Sequence, residues 1–104
     1  MVNDDLEIFQ EPIARGIKLI INGRISSANA QELEDRLEEA LTAGYSHIIL
    51  NMLLVDHLSS AGIKAILKAY KEARTAGGKL EIEGPSESVR NVLGMTALDT
   101  MLVK

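Results

Sequence analysis

The fold is decided by the stretch Asp56-His57-Leu58-Ser59-Ser60-Ala61-Gly62-Ile63-Lys64. It follows the most apolar run of the sequence, residues 48–55, and precedes apolar residues spaced three and four positions apart, as one face of a helix requires. This pattern predicts a buried strand, a short loop and the start of a helix. Either Ser59 or Ser60 can cap that helix by accepting from its unpaired backbone N–H groups. A cap is the ordinary role of a serine before a helix, so a functional role needs further support.

Composition restricts the class of protein. The chain has 104 residues, of which 46% are hydrophobic and only 3% aromatic, so we expect a single domain, residues 1–104, with an aliphatic core. The absence of cysteine excludes disulfides, thiolate catalysis and sulfur metal sites. A formal net charge of −4 and the few aromatic residues argue against nucleic-acid binding. The acidic N-terminus is unlike a signal peptide and no run is apolar enough to span a bilayer, so we expect a cytoplasmic protein with no membrane partner.

Periodicity predicts the element order β-β-α-β-α-β-α. The expected elements are an edge strand at 6–9, a strand at 17–21 closing at Asn22-Gly23, a helix at about 29–43, a strand at 48–55, a helix from Ser60 to about Ala76, a strand at 80–82, a helix opened by Gly84-Pro85-Ser86, and a short helix or strand at 98–103. The run 48–55 is typical of a strand buried on both faces. We therefore expect an α/β fold, a small mixed and mostly parallel β-sheet flanked by helices, with right-handed crossovers.

Several local signals set the expected boundaries of these elements. Glu11-Pro12 is a turn signal between the first two strands, and Arg15-Gly16 gives another. Asn29 with Glu32 resembles a capping box at the start of the first helix. Gly44 suits the left-handed position that ends this helix, and Gly94 is expected to stop the third helix.

Catalytic and metal-binding patterns are weak. His47 and His57 are the only histidines, and a metal site would need a further ligand at a fitting spacing. His57 is close in sequence to Ser59 and Ser60, but no motif supplies a third group and G-x-S-x-G is missing. No phosphate-binding or dinucleotide-binding glycine motif occurs. We expect no enzyme, no metal and no cofactor, and rank a hydrolase using Ser60 and His57 far below a binding protein.

A strip of lysines follows the serines on the predicted second helix. Lys64, Lys68 and Lys71 recur along it at steps of three and four. A solvated helix face is the ordinary explanation for such a strip. It also lies beside Ser60, where it could meet an acidic partner.

The order of these motifs resembles the STAS family, the anti-sigma-factor antagonists and their relatives. The matching stretches are Gly23-Arg24-Ile25 before the first helix, the strand start His47-Ile48-Ile49-Leu50-Asn51, the motif Leu58-Ser59-Ser60-Ala61-Gly62-Ile63, the stop and strand Gly77-Gly78-Lys79-Leu80, and the late region 89–98. The resemblance covers nearly the whole chain in order, and the fold it implies agrees with the fold expected from periodicity.

The resemblance implies a regulatory binding module without catalysis. In such proteins the unphosphorylated domain binds an anti-sigma factor that is also a serine kinase, and a sigma factor is released. The kinase phosphorylates a serine, which by position is Ser60 here, and a serine phosphatase reverses the modification. The implied partner-binding residues are Ser26, Ser27, Asp56, His57, Leu58, Ser59, Ala61, Gly62, Ile63 and Lys64. We expect a monomer or a weak dimer.

Two residues depart from the family pattern. Ser59 stands where an acid usually precedes the phosphoserine, and Ser26 stands at the usual acid of the first helix start. Both changes remove negative charge near Ser60. They leave open an alternative, a non-cycling STAS subunit of a signalling scaffold or of a lipid-transport complex. The implied fold is the same for both readings.

Overall fold

The computed structural model describes residues 6–95. The elements are β1 (Leu6–Ile13), β2 (Gly16–Ile25), α1 (Ala30–Thr42), β3 (His47–Leu58), α2 (Ser60–Thr75), β4 (Lys79–Glu83) and α3 (Glu87–Met95). The strands form one four-stranded sheet in the order β1-β2-β3-β4. β1 is antiparallel to β2, and the other neighbours are parallel. The predicted fold class and element order are confirmed, while the element predicted at 98–103 lies outside the described residues.

The antiparallel pair is longer than the sequence indicated. Glu11 and Pro12 lie within β1, so the turn predicted at this dipeptide is wrong, and the chain reverses at Ala14-Arg15 instead. Pro12 faces Ile17 of β2. Among the described strands β1 pairs with β2 alone, and a proline without an N–H is tolerated on such an edge. β2 also continues past the predicted end at Asn22-Gly23.

Two predicted helix boundaries are correct and two details are wrong. α1 ends before Gly44, whose φ is 88°, and α3 follows Ser86, whose hydroxyl accepts from the N–H of Val89 at 3.2 Å. The predicted capping box does not form, because the Asn29 side chain bonds the preceding loop rather than the helix. Gly94 does not stop α3 but lies within it, since a glycine weakens a helix interior by only about 1 kcal/mol.

The hydrophobic core lies between the helices and one face of the sheet. Alternate residues of β2, β3 and β4 face it, with Leu19, Leu50 and Ile82 at 0% exposure. The buried set also includes residues of all three described helices, such as Leu37 and Leu93. Burial of this aliphatic set, at roughly 25 cal/mol per Å² of apolar surface, is the main stabilising contribution.

The opposite face of the sheet carries a polar network. Glu83 accepts from Lys18 Nζ and from Asn51 Nδ2, both at 2.9 Å. His47 Nε2 lies 2.7 Å from Glu81 Oε1. Because this face of the sheet carries half-buried polar groups, the prediction that the strand at 48–55 is buried on both faces is wrong.

Two irregularities in β3 change its burial pattern. Between the paired positions Ile20–Asn51 and Asn22–Leu54, β3 contains one residue more than β2, and a second extra residue precedes His57. Each extra residue is a β-bulge, which presents two consecutive side chains on one side. Leu53 and Leu54 are therefore 61% and 55% exposed although the run is apolar. The strand itself is central, as predicted, because it pairs on both edges.

Candidate functional site

The predicted site lies where β2 and β3 end side by side. Ile25 at the end of β2 pairs with Leu58 at the end of β3. The chain leaves β2 through a loop towards α1 and leaves β3 directly into α2. The backbone N–H of Ser59 donates to the carbonyl oxygen of Ile25 at 2.9 Å. This bond brings together two loops that are far apart in the sequence, the one that holds Ser26 and the one that holds Ser60.

Ser59 caps α2. Its backbone is extended, with φ −78° and ψ 167°, and its Oγ accepts from the N–H of Gly62 at 3.1 Å. Its carbonyl oxygen also accepts the N–H of Ile63 at 2.9 Å. These are the bonds expected of an N-cap residue, which satisfies donors that have no partner within the first turn. The Ser59 hydroxyl is therefore engaged in holding the helix start.

Ser60 differs from Ser59 in its exposure and in the hydrogen bonding of its hydroxyl. It is the first residue of α2 and it is exposed, whereas Ser59 is half-buried. Within residues 6–95, its hydroxyl makes no hydrogen bond. Two adjacent hydroxyls thus have different environments, one committed to a cap and one open to solvent.

Gly62 fixes how closely α2 approaches the two strand ends. A Cβ at this position would lie 2.6 Å from Cγ2 of Ile25 and 2.8 Å from Cδ1 of Leu58. Real Cβ atoms do not come so close, so any larger residue would push the helix start away from the sheet. Because Ile25 and Leu58 are themselves buried, the neighbours have little room to yield. The small residue at 62 therefore positions Ser60 relative to both strands.

The loop after β2 is held by reciprocal hydrogen bonds. Asn29 Oδ1 accepts from the N–H of Ser26 at 2.8 Å, and Ser26 Oγ accepts from the N–H of Asn29 at 3.3 Å. Asn29 Nδ2 also donates to the carbonyl oxygen of Arg24 at 2.9 Å. Ser27 is exposed beside these hydrogen bonds. Asn29 is not among the predicted site residues; its short amide and its place before a helix are the only sequence signals of this role.

The remaining predicted partner residues divide into surface and core. Asp56, His57 and Lys64 are exposed. Ala61 and Ile63 are half-buried and pack against the hydrophobic core. The two buried residues of the set are Leu58 and Gly62. Only the first group, with Ser27 and Ser60, presents an open surface; the buried pair would act by holding the helix start in place.

The lysines of the predicted strip are not equivalent. Lys68 Nζ lies 3.0 Å from Glu34 Oε2 of α1, and this hydrogen bond raises the pKa of the lysine. Lys64 and Lys71 are exposed and make no ion pair within the described part of the chain. One lysine therefore joins α1 to α2, while two remain available at the surface.

Few side chains at this edge of the sheet are arranged as a catalytic or metal-binding site would require. His57 makes no hydrogen bond to either serine among residues 6–95. In the same range, no group of three or more His, Asp or Glu side chains is arranged to hold a metal ion. No helix there has the length and apolarity needed to cross a bilayer. What the site offers is an exposed hydroxyl at a helix start, flanked by exposed charged side chains.

Comparison with known proteins identifies relatives in both sequence and structure. The STAS domain model matches residues 9–103. A candidate anti-sigma factor antagonist of Bordetella bronchiseptica, BtrV, is 32% identical over 72 residues, which is 69% of this chain and 62% of the relative. A candidate anti-sigma factor antagonist of Thermotoga maritima is 31% identical over 65 residues, 62% of this chain and 58% of the relative. The matched segment thus spans about three fifths of the length of these relatives.

Solved structures share the fold at lower identity. The anti-sigma factor antagonist SpoIIAA in its unphosphorylated form superposes with a TM-score of 0.82 at 19% identity, covering 93% of this chain and 86% of that chain. The Bacillus cell fate determinant SpoIIAA in its phosphorylated form gives 0.73 at 19% identity, covering 93% and 89%. An anti-sigma factor antagonist from Mycobacterium paratuberculosis gives 0.83 at 18% identity, covering 93% and 82%.

Proposed function

The chain belongs to the STAS domain family, and from this premise we propose that it is an anti-sigma factor antagonist switched off by phosphorylation of Ser60. The unphosphorylated domain binds an anti-sigma factor that is also a serine kinase, and this frees a sigma factor. A serine phosphatase restores the binding form. The protein acts by binding, in the cytoplasm, and carries out no reaction of its own.

The observation that carries the proposal is the difference between the two serines. Ser59 uses its hydroxyl to cap α2, while the hydroxyl of Ser60 is exposed and free of hydrogen bonds within residues 6–95. A kinase needs a hydroxyl that it can reach without breaking the fold. Ser60 meets this requirement directly, whereas phosphorylating Ser59 would first have to break a cap worth about 1 kcal/mol.

A phosphate at Ser60 is compatible with the folded domain. It adds a charge of about −1.5 to −2 and three acceptor oxygens. At the first turn of a helix, the helix dipole favours a negative charge by roughly 0.3–1 kcal/mol. The domain should therefore remain folded after modification. A partner surface fitted to a neutral hydroxyl would instead meet bulk and charge, so its affinity should fall.

The relatives support the same role. BtrV and the Thermotoga maritima protein are described as anti-sigma factor antagonists, and SpoIIAA has been solved in unphosphorylated and phosphorylated forms. A regulatory partner and a phosphate-controlled state are thus the natural hypotheses for this chain.

A second candidate function is a non-cycling STAS subunit of a signalling scaffold or lipid-transport complex. Ser26 and Ser59 favour it, because they stand where acids are usual. Ser26 and Ser59 lie close together, since the N–H of Ser59 bonds the residue that precedes Ser26. If kinase or phosphatase recognition depends on those acids, a domain without them would bind its partner constitutively.

The experiment that tests the proposal measures partner binding with three variants of Ser60. The partner is first isolated by pull-down from native lysate and identified by mass spectrometry, then purified. Ser60→Ala and Ser60→Asn should bind it as the parent does, and Ser60→Asp should bind at least tenfold more weakly, a loss of about 1.4 kcal/mol. Asn matches Asp in size without its charge, so it separates charge from bulk. Equal binding by Ser60→Asp and Ser60→Asn would favour the non-cycling subunit.

A further inference from the structure

Ser60 and Lys64 lie one turn apart in α2, and we propose that Lys64 is the intramolecular partner of a phosphate on Ser60. The inference rests on the proposed function only in taking Ser60 as the modified residue. In the phosphorylated form the Lys64 ammonium binds the phosphate oxygens across one helical turn. In the unphosphorylated form the same lysine is free to meet an acidic group of the partner.

Helix geometry supports this contact. Ser60 is the first residue of α2, so positions 60 and 64 are both helical and related as i and i+4. Side chains at this spacing are neighbours, with Cβ atoms about 5–6 Å apart. Side chains of a helix tilt towards its N-terminus, so the lysine leans back over Ser60. An anion N-terminal to a cation at this spacing is also the more favourable orientation.

Both side chains are available for the contact. Ser60 and Lys64 are exposed, and neither forms a hydrogen bond or ion pair through its side chain within residues 6–95. The helical neighbour one turn on, Lys68, is bound to Glu34 at 3.0 Å and is itself a cation. The turns on either side of Lys64 therefore offer it no carboxylate, and the phosphate would be its only anionic neighbour on the helix.

Ser26 and Ser59, the two residues that depart from the family pattern, favour the pairing of Lys64 with the phosphate. With Ser26 and Ser59 in place of acids, no carboxylate at those positions competes for Lys64 or repels the phosphate. Those two positions therefore add no anion that would weaken the pairing of Lys64 with the modified serine.

With this pairing, phosphorylation changes the surface that this domain presents to its partner in two ways. It places negative charge on Ser60, and it draws a free cation away from the surface that a partner would meet. Both changes oppose an acidic partner surface. Phosphorylation would therefore lower the affinity for the partner by more than the added bulk at Ser60 alone. The phosphorylated domain would also be more stable than the unphosphorylated one.

The test uses the full chain with phosphoserine encoded genetically at position 60, so it needs no kinase. Thermal unfolding midpoints are compared for the phosphorylated and unphosphorylated forms of the parent, Lys64→Gln, Lys64→Arg and Lys71→Gln. Lys71 is the matched control because it is exposed on the same side of α2 as Ser60. It lies about 16 Å from Ser60 along the helix axis, beyond the Debye length of about 8 Å at physiological salt.

We expect phosphorylation to raise the midpoint in the parent, in Lys64→Arg and in Lys71→Gln. In Lys64→Gln, about 1–4 °C of this rise should be lost. The Lys64-dependent part should also disappear at about 1 M salt, where the Debye length is about 3 Å. An equal rise in Lys64→Gln and the parent would overturn the proposal, and so would an equal loss in Lys64→Arg and Lys64→Gln. Because no kinase or partner is used, these outcomes are independent of whether Ser60 is the residue modified by a cellular kinase.

Discussion

Gly62 and Ile25 are packed so closely that a methyl group on the glycine would lie 2.6 Å from Cγ2 of the isoleucine. This contact joins the first turn of α2 to the end of β2. It explains why a residue without a side chain stands two positions after Ser60, since only glycine lets the helix start sit against both strand ends.

Gly62→Ala should destabilise the domain by about 1–3 kcal/mol, because overpacking against buried neighbours exceeds the gain in helix propensity. Gly94→Ala is the matched control, since it is also helical but a Cβ there would meet nothing within 4 Å among residues 6–95. The control should be neutral or stabilising by up to about 1 kcal/mol. Urea unfolding of both variants measures the difference, and two shifts of the same sign would contradict the packing argument.

Ser59→Ala should cost about 1 kcal/mol, because the N–H of Gly62 loses its acceptor at the start of α2. Ser60→Ala should change stability by less than about 0.5 kcal/mol, since an exposed side chain without contacts is removed. Chemical denaturation of the two single variants tests the assignment of cap and free hydroxyl. A larger cost for Ser60→Ala than for Ser59→Ala would reverse that assignment.

The polar face of the sheet should make stability depend on pH at the acid end. Hydrogen bonds from Asn51 and Lys18 lower the pKa of Glu83 from its ordinary value of 4.5. A carboxyl whose pKa is depressed by folding contributes stability that is present above the ordinary value and is lost as pH falls through the depressed one.

Glu83→Gln should therefore reduce the loss of stability on acidification below about pH 4.5, measured as the thermal midpoint against pH. Glu39→Gln on α1 is the control, because its exposed side chain makes no ion pair within residues 6–95. Parallel acid profiles for Glu83→Gln and the parent would show that the Glu83 network does not contribute.

Much of this fold follows from local pattern, and the errors have common physical causes. The apolar spacing after Ser60 predicted α2 to within a residue of its end, and the unbroken run 48–55 predicted a central strand. The turn predicted at Pro12 is wrong because a proline ends a strand only where its N–H is needed, and an edge strand does not need it. The helix end predicted at Gly94 is wrong because a glycine permits a helix end without requiring one.

The parts of the site that escaped prediction depend on long-range register. The bulges of β3 arise from its pairing with β2, so nothing local to Asp56 and His57 shows that both side chains are exposed. Asn29 was interpreted as half of a capping box, whereas its amide bonds Ser26 and Arg24 because the loop folds back on the end of β2. That one of the two serines caps α2 could be anticipated from position, but their different burial could not.

The most direct test of the account is phosphosite mapping on the full chain. The purified protein is incubated with ATP and the anti-sigma factor kinase that the proposed function requires, digested, and analysed by mass spectrometry, with Ser60→Ala and Ser59→Ala treated in parallel. The account predicts phosphate on Ser60 in the parent and in Ser59→Ala, and none in Ser60→Ala. Phosphate on Ser59, or on neither serine with a kinase shown to be active on another substrate, would contradict it.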